Sequence, residues 1–314
     1  MACYSPIKGY LAAGGGVVFS KNQSANRNPI EIPCNGCIGC KIKRSRDWAI
    51  RCVHEAKMHD ENTFITLTYN KDHLPKNQSL DHSDFQKFIR SLRQKTGKKI
   101  SYYMCGEYGE NFGRPHFHAL IFGYKFPDEK LWTIRQKNPV HRSALLEKLW
   151  QKGFSETGTV TFQSAAYVAR YIIKKQSKDV ARSQLAIVDP DTGEMYERRQ
   201  EYTKMSLKPA IGLSFYIKNK TDIFPLDKII LSEGKEYSVP KYYRELLKLE
   251  NPDLAKALAK IRYQKATKKP KPEDIPANQE YTYRSPSKKL KASALASSEK
   301  IQLQQLALLK RTLQ

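Results

Sequence analysis

Apolar and polar positions alternate along several short segments in the middle of the chain, with the period of two residues that is typical of β-strands. The first segment is FITLTY at 64–69, which is rich in β-branched and aromatic residues. Two more strands are predicted at Ile100–Tyr108 and His116–Phe122, and the Gly and Pro residues between them favour a hairpin turn. A fourth strand is predicted near Thr159–Gln163.

A period of three to four residues predicts helices between and after these strands. Ser83–Gln94 places its apolar residues on one side of a helix, with Ser83 suited to cap its start and Gly97 to end it. Arg142–Gln151 and the segment SAAYVARYIIKK at 164–175 are also predicted to be helical. The order β-α-β-β-α-β followed by a helix predicts an α+β protein. Its core is a ferredoxin-like, split β-α-β antiparallel sheet with helices on one face and the other face available to a ligand.

Composition divides the chain into three predicted segments. Residues 1–60 hold the cysteine-rich stretch CNGCIGC and a basic helical stretch, and residues 61–220 hold the predicted sheet domain. Residues 221–314 are predicted to be a basic C-terminal extension that is partly helical or disordered. Its segment KPKPEDIPANQEY has the proline and charge content of a linker.

The charge balance points to a polyanionic partner. Lysine and arginine number 55 against 31 acidic residues, which gives a formal charge of +24. Nucleic acid is the first candidate, since basic side chains gain affinity by displacing the counterions condensed on phosphates, and a merely solvated basic surface is the alternative. An anionic membrane is less favoured, because no stretch approaches the roughly 20 apolar residues of a membrane span. The start of the chain also lacks the layout of a secretion signal, so a cytoplasmic location is expected.

A His-x-His pair is the first set of residues with candidate chemistry. Alternation on a strand sends His116 and His118 to one face and Phe117 to the other. Glu107, across the predicted hairpin, is the candidate third ligand, with Glu110 as the second choice. Two imidazoles and a carboxylate suit Mn²⁺ or Mg²⁺, whereas the alternative is polar residues on an exposed hairpin.

A pair of tyrosines on the last predicted helix forms the second set. Tyr167 and Tyr171 are four residues apart and therefore share a helix face. A phenol needs a nearby cation or metal to act as a nucleophile at neutral pH, and Arg170 and Lys174 each follow one tyrosine by three residues, with Lys175 next in the chain. The alternative is that both tyrosines pack the helix onto the sheet.

The cysteines form a third set. Cys34, Cys37 and Cys40 have the spacing of metal ligands, and a structural zinc site needs a fourth, for which Cys3 is the first choice and Cys52 the second. Ordinary reduced thiols in a loop are the alternative. Basic residues with candidate roles in DNA binding are Lys43, Arg44, Arg46, Arg114 and Arg170.

The order of these parts resembles that of a known superfamily. FITLTYNKDHLP, GEYGENFGRPHFHALIFG and YVARYIIKK resemble the three ordered motifs of rolling-circle replication initiators of the HUH superfamily. Over residues 1–250 the chain is similar to the replication initiators of microviruses, small single-stranded-DNA bacteriophages, and in particular to their gokushovirus branch. The likeness includes Cys3, the PCNGCIGC segment and KMSLKPAIGLSFY.

The resemblance implies a metal-dependent HUH endonuclease, or nickase, in residues 61–220. By this resemblance His116 and His118 bind the divalent cation, and Tyr167 and Tyr171 are paired nucleophiles that nick and rejoin single-stranded DNA through a 5′-phosphotyrosine link. The partners implied are single-stranded DNA at the viral replication origin and the helicase and polymerase of the bacterial host. The absence of a P-loop sequence argues against a fused helicase.

Two alternatives stay open from the sequence. A two-tyrosine HUH transposase or plasmid initiator shares every catalytic part and differs in its DNA substrate. A non-catalytic, zinc-stabilised nucleic-acid-binding protein accounts for the charge and the cysteines, and it makes the His-x-His and tyrosine pairs a coincidence.

Overall fold

The computed structural model describes residues 3–13, 16–109, 113–135, 137–174, 186–188, 193–224, 226–231, 234–267 and 288–308. The strands are β1 (Ile7–Ala12), β2 (Val17–Val18), β3 (Ser24–Ile32), β4 (Asn62–Tyr69), β5 (Ser101–Tyr108), β6 (Pro115–Phe122), β7 (Lys130–Arg135), β8 (Asn138–Arg142), β9 (Gly153–Gly158), β10 (Ala186–Val188), β11 (Met195–Glu197), β12 (Tyr202–Met205), β13 (Lys228–Ile230) and β14 (Glu236–Ser238). The α-helices are α1 (Ile38–Ala56), α2 (His82–Thr96), α3 (Ala144–Trp150), α4 (Phe162–Lys174), α5 (Leu213–Ile223), α6 (Lys241–Glu250), α7 (Pro252–Thr267) and α8 (Lys288–Leu308).

The largest sheet confirms the predicted α+β fold. It has seven strands in the order β12-β5-β6-β4-β9-β8-β7, and every pair in it is antiparallel. The four central strands, β5-β6-β4-β9, are joined through α2 and α3 in the order β-α-β-β-α-β. This is the ferredoxin-like, split β-α-β arrangement.

One face of the sheet packs on the two helices of this motif. Ile65 and Leu67 of β4 and Phe117 of β6 contribute to a buried core with Phe85 of α2 and Trp150 of α3. The alternation of β-strand side chains decides which residues reach this face, since odd-numbered positions of β4 and β6 all point to it. We call it the helix-hairpin face.

The opposite face is also covered by helices. Phe64, Leu120 and Phe122 of the sheet pack with Ala49 of α1 and Val168 of α4. The helices of the split β-α-β motif thus lie on one face as predicted, and α1 and α4 add a second layer on the other. Because His116 and His118 have the same parity as Leu120, they point to this second face, which we call the histidine face.

Local signals place helix α2 within two residues of its predicted bounds, but its cap differs from the prediction. The side chain of Asp81, rather than Ser83, accepts the hydrogen bond from the backbone N–H of Ser83 and caps the start. Gly97 ends the helix in the left-handed conformation, as predicted, with φ of 66°.

The strand predicted near Thr159–Gln163 is wrong in position. The strand next to β4 is Gly153–Gly158, and α4 has already begun at Phe162. The alternation of polar and small residues in GFSETG has too few large apolar residues to stand out, although Ser155 and Thr157 are buried. Sequence periodicity also did not indicate the β7-β8 hairpin or β12, which extend the sheet at its two edges.

Two compact units divide the described residues. Arg44–Phe224 form the unit that contains the seven-stranded sheet, and the residues up to Lys43 form the other with those from Leu226 to Leu308. The second unit contains the three-stranded sheet β2-β1-β3, the hairpin β13-β14 and helices α6 and α7, which pack on each other. The predicted linker KPKPEDIPANQEY lies outside the described residues. Across the described chain, no helix has both the length and the apolar character needed to cross a membrane.

Replacement of Phe117 should test the importance of the helix-hairpin face. Phe117 is fully buried, and its ring lies against Phe85, Tyr69 and Trp150. Phe117→Ala should lower the free energy of unfolding by about 3–5 kcal/mol, measured by urea denaturation, because it removes these contacts and leaves a cavity. Ile134→Ala on the exposed hairpin should change it by less than about 0.5 kcal/mol. Equal effects of the two changes would contradict this assignment of the core.

Candidate metal centre and tyrosine site

The β5-β6 hairpin brings a carboxylate and an imidazole face to face. Glu107 is the direct cross-strand partner of His116 in the antiparallel register. The Oε1 atom of Glu107 lies 2.9 Å from Nε2 of His116 and 2.8 Å from Nε2 of His118. One carboxylate oxygen is therefore shared by two imidazoles from the same strand.

The three side chains lie in the interior of the protein. Glu107 is 0% exposed, His118 1% and His116 7%. The rings of His116 and His118 are perpendicular, with centroids 4.9 Å apart, and Phe64 stacks on His118 at 5.6 Å. Buried charged and polar groups of this kind are rare unless they are paired or bind a metal.

Outer hydrogen bonds orient both imidazoles. Nδ1 of His116 lies 3.1 Å from the backbone carbonyl oxygen of Arg114, and Nδ1 of His118 lies 2.9 Å from Oγ1 of Thr66. A carbonyl can only accept, so Nδ1 of His116 carries the proton, and the neutral ring then presents the lone pair of Nε2 to Glu107. Such second contacts fix the tautomer of metal-binding histidines.

The two histidines also set the charge of the carboxylate. Burial alone raises the pKa of Glu107, but hydrogen bonds and electrostatic attraction from His116 and His118 outweigh it and hold the pKa well below its usual range. Burial lowers the pKa of His118, which favours its neutral, metal-binding form. The group thus combines an ionised carboxylate with a neutral imidazole at neutral pH.

The geometry of these three groups fits a divalent cation. Their ligand atoms all lie within 4.8 Å of one another. An octahedral ion with ligand distances near 2.1 Å separates neighbouring ligand atoms by about 3 Å, close to the oxygen–nitrogen separations in this cluster. A site with two nitrogen ligands and one oxygen ligand from the protein leaves positions for water or phosphate, as catalytic metal sites do.

Helix α4 brings Tyr167 to the same place. The Tyr167 hydroxyl donates a hydrogen bond to Oε1 of Glu107 at 3.0 Å and lies 3.4 Å from Nε2 of His118. The rings of Tyr167 and His118 are perpendicular, with centroids 5.0 Å apart. The helix can approach this closely because Ala165 and Ala169 face the sheet and are fully buried.

Several predicted site residues lie where their side chains are not described. Tyr171 and Lys174 belong to the last turn of α4, with the backbone positions that their spacing predicts, but their side chains are outside the described part of the chain. Lys175 and Glu110 lie outside the described residues altogether.

The basic residues predicted to bind DNA occupy different positions. Arg114 directly precedes β6, and its guanidinium donates to the carbonyl of Tyr69 at 3.2 Å. Arg170 on α4 is partly exposed. On α1, Lys43 is partly exposed, whereas Arg44 and Arg46 are exposed.

Sequence analysis missed an exposed aromatic residue on the histidine face. Phe154 of β9 pairs with Thr68 of β4, which in turn pairs with His116 of β6, so all three side chains share one face. Phe154 is 59% exposed, which is unusual for a phenylalanine in a sheet. Because the strand was predicted in the wrong place, its exposure was not foreseen.

The unit that contains the N-terminus brings four cysteines together. The thiol sulfur atoms of Cys3, Cys34, Cys37 and Cys40 lie within 4.8 Å of one another, and the Cys37 thiol donates to Cys3 Sγ at 3.9 Å. Backbone N–H groups of Cys34, Cys37 and Tyr4 donate to sulfur at 3.2–3.3 Å. Burial raises the pKa of Cys37, but N–H donors from the backbone and neighbouring thiols outweigh it and lower it to about 6.

This cluster differs from the other cysteines. Tetrahedral zinc with Zn–S distances near 2.3 Å separates its sulfur ligands by about 3.8 Å, which fits the separation of Cys37 and Cys3. Cys52, the second choice for a fourth ligand, is instead fully buried in the core of the histidine face.

Most of the chain is similar to the replication-associated proteins of small phages. A family model of replication-associated proteins, described under the name ORF2, matches residues 62–176, from β4 to the end of α4. The chain is 34% identical to the replication-associated protein VP4 of Bdellovibrio phage phiMH2K over 263 residues, 81% of this chain and 79% of that protein. It is 31% identical to the replication-associated protein ORF2 of Spiroplasma virus 4 over 275 residues, 80% of this chain and 81% of that protein.

A third relative is matched over a smaller share of its length. The replication-associated protein ORF4 of Chlamydia phage 1 is 32% identical over 226 residues, 69% of this chain and 53% of that protein. No solved structure matches this chain.

Calorimetric titration with Mn²⁺ should test the metal centre. We expect one ion to bind through Glu107, His116 and His118, and Glu107→Gln to weaken binding by at least about tenfold because it removes the anionic ligand. Thr66→Val should weaken it by about 10–100-fold, since it removes the hydrogen bond that orients His118. Glu147→Gln, which affects an ion pair with Arg142 elsewhere, is the matched control and should bind normally. Unchanged affinity in Glu107→Gln would rule out this ligand set.

Proposed function

The chain belongs to the replication initiators of microviruses, and we propose that it is a metal-dependent HUH endonuclease and strand transferase. It nicks single-stranded DNA at the viral replication origin through a covalent 5′-phosphotyrosine intermediate and rejoins the ends. The observation that carries the proposal is the position of the Tyr167 hydroxyl, within hydrogen-bond distance of Glu107 and beside His118. A nucleophile and a metal-binding triad on separate elements meet at one point.

The charge of the site supports phosphodiester cleavage. When bound by Glu107, His116 and His118, a divalent cation supplies Lewis-acid polarisation of the scissile phosphate and offsets the negative charge that develops in the transition state. Glu107 accepts the hydrogen bond of Tyr167 and so orients the hydroxyl toward the triad. A single carboxylate among three ligands leaves net positive charge at the centre, which favours the approach of a phosphate.

The proposed chemistry balances without an energy source. The Tyr167 oxygen forms a bond to phosphorus while the bond from phosphorus to the 3′ oxygen breaks. The tyrosine gives up its proton, and the departing strand ends in a 3′-hydroxyl that can prime synthesis. The phosphotyrosine conserves the energy of the phosphodiester, so a later attack by a 3′-hydroxyl reverses the step and closes a circle.

The second tyrosine accounts for strand transfer. Tyr171 follows Tyr167 by one helical turn, and in this proposal it cleaves the strand again after one round of synthesis. Lys174 and Lys175 would favour the phenolate and bind the nearby phosphates, and Arg170 would do the same beside Tyr167. A single-tyrosine nickase would not need this pair.

Access to the site sets a condition on the mechanism. Tyr167 is 3% exposed, and its hydroxyl donates to Glu107. A phosphodiester can reach the nucleophile only if this hydrogen bond breaks and the contact between α4 and the sheet opens. Entry of the cation between Glu107 and the histidines is the step that we expect to loosen it, since the carboxylate then bonds to the ion.

The net charge and the family together suggest the partners. A formal charge of +24 favours a polyanion, and Lys43, Arg44, Arg46, Arg114 and Arg170 are the side chains that we assign to DNA contact. We place the reaction in the cytoplasm of the bacterial host, with the host helicase and polymerase extending the nicked strand.

A labelled origin oligonucleotide should test the nuclease. Incubation of the full chain with the oligonucleotide and Mn²⁺ or Mg²⁺, followed by denaturing electrophoresis, should show a band of protein covalently bound to DNA. The double change Tyr167→Phe and Tyr171→Phe should abolish the band because no phenol remains, and each single change should leave part of it. Tyr124→Phe is the matched control, because Tyr124 packs on the helix-hairpin face, and should cleave normally.

The metal ligands should separate cleavage from binding in the same assay. His116→Ala should remove metal-dependent cleavage while DNA affinity falls by less than about threefold, because most phosphate contacts lie outside the triad. Normal cleavage by His116→Ala, or a covalent band in the double tyrosine variant, is incompatible with the mechanism. DNA binding with no covalent band in the unmodified chain would favour the non-catalytic alternative.

We also propose a structural zinc ion bound by Cys3, Cys34, Cys37 and Cys40. Four converging thiols and backbone N–H groups aimed at sulfur support this assignment. A thiolate at Cys37 is favoured at neutral pH because its pKa falls to about 6. Zinc would join the residues before β1 to the start of α1.

Native mass spectrometry of the purified chain should test the zinc site. We expect one zinc ion per chain, loss of that ion in Cys34→Ser, and a lower midpoint of thermal unfolding in that variant because zinc binding contributes to folding. Cys105→Ser is the matched control and should keep the ion, since Cys105 is buried on the sheet. Zinc that persists in Cys34→Ser would refute the assignment.

A further inference from the structure

A cavity of about 240 Å³ opens on the histidine face of the sheet. Strands β4, β8 and β9 and the start of α4 bound it, and its lining includes Phe64, Thr66, Val140, Glu156, Gly158 and Gln163. None of these residues belongs to the metal triad.

Two lining residues connect the cavity to the metal centre. Thr66 Oγ1 lies 2.9 Å from Nδ1 of His118, and the Phe64 ring stacks on the His118 imidazole with an interplanar angle of 9°. A ligand in the cavity therefore shares a wall with the groups that orient a metal ligand. It would lie next to any phosphate bound at the triad.

The charges around the cavity disfavour a phosphate inside it. Arg135 also lines the cavity, but its guanidinium is held by two hydrogen bonds of 2.7 Å to the carboxylate of Glu156. The pair contributes no net positive charge, and the carboxylate repels anions. An uncharged ligand is favoured.

The remaining lining defines the chemistry of that ligand. Phe64 and Val140 offer apolar surface, whereas Thr66 and Gln163 offer a hydroxyl and an amide. Sites for drug-sized ligands measure about 300–1,000 Å³, so a cavity of about 240 Å³ suits a smaller, flat molecule with polar edges. Nucleobases have these properties, and single-stranded nucleic acid is recognised through bases that stack on apolar and aromatic side chains.

We propose that one nucleobase of the bound single-stranded DNA occupies this cavity and determines the base preference beside the cleaved phosphate. The inference rests on the proposed function for its ligand, single-stranded DNA, and adds the site that reads its sequence. Phosphate contacts elsewhere position the strand, whereas base contacts of this kind specify it.

Gly158 provides a direct way to fill the cavity. It is opposite Phe64 in the antiparallel register, and a Cβ added there meets only the Phe64 ring, at 3.6 Å, an ordinary van der Waals distance. Its backbone is not left-handed, so a side chain causes no local strain. Gly158→Leu should thus occupy the space of the base while the sheet stays intact.

Selection from a randomised single-stranded DNA library tests the proposal without metal or cleavage. The full chain, in the presence of EDTA, should enrich sequences with a preferred base at a defined position. Gly158→Leu should lose the preference at that position and keep the others, together with the salt dependence of binding, because the phosphate contacts are unchanged. An abasic residue at that position should weaken binding of the unmodified chain by about tenfold and that of Gly158→Leu by less than about twofold.

A second pair of variants guards against misfolding of Gly158→Leu. Val140→Phe fills the same cavity from β8 and should have the same effect, whereas Ile134→Phe adds the same ring to an exposed position of the neighbouring strand and should have none. Normal Mn²⁺ binding by both variants would show that the metal centre is intact.

The outcomes separate this inference from the proposed function. The inference is overturned if the unmodified chain shows no base preference, if both cavity-filling variants keep every preference, or if they weaken binding to all sequences equally. Incubation of the enriched oligonucleotide with Mn²⁺ then tests cleavage separately. A base preference without a covalent product would overturn the nuclease and leave the base site standing, whereas a covalent product with unchanged preferences would do the reverse.

Discussion

The register of the β5-β6 hairpin is the constraint on which the site depends. Antiparallel pairing puts Glu107 directly opposite His116, and alternation puts His118 on the same face two residues later. A shift of one residue would turn all the side chains of one strand to the other face and separate the carboxylate from the imidazoles. Phe117, buried between α2 and α3 on the helix-hairpin face, opposes that shift because it would have to exchange places with a histidine.

The same register explains which parts of the site the sequence could predict. Glu107, His116 and His118 come together through local pairing across one turn, and Tyr167 is placed by a helix whose period is evident in the sequence. The fold class followed from the order of the elements. Sequence periodicity failed at β9, where GFSETG lacks large apolar residues, and so it could not show Phe154 on the histidine face or the cavity at Gly158. These features depend on pairing between β4 and β9, which are far apart in the chain, and on the hairpin β7-β8.

Helices on both faces of the sheet give the site its low exposure. The sequence predicted an open face for a ligand, but α1 and α4 pack there around Phe64, Leu120 and Phe122. Small residues on α4 allow the helix to lie close to the sheet, which brings the Tyr167 hydroxyl to Glu107. The resulting environment has few competing water contacts, so each charge there acts more strongly than at the surface. A closed site of this kind suits a reaction in which an activated phosphate must be kept from hydrolysis, provided that the helix contact opens to admit the strand.

Energetics argue that this buried cluster is not present for stability alone. Removing a carboxylate and two imidazoles from water has a cost that their mutual attraction often fails to offset, and well-packed apolar residues frequently serve a fold equally well. The neighbouring positions Leu120 and Phe122 on the same strand show that this face accepts apolar side chains. The shared use of one carboxylate oxygen by two imidazoles and a phenol concentrates polar groups where the fold does not need them. A bound cation with a phosphate beside it would use every one of these groups, which is why a catalytic role accounts for the cluster better than a structural one does.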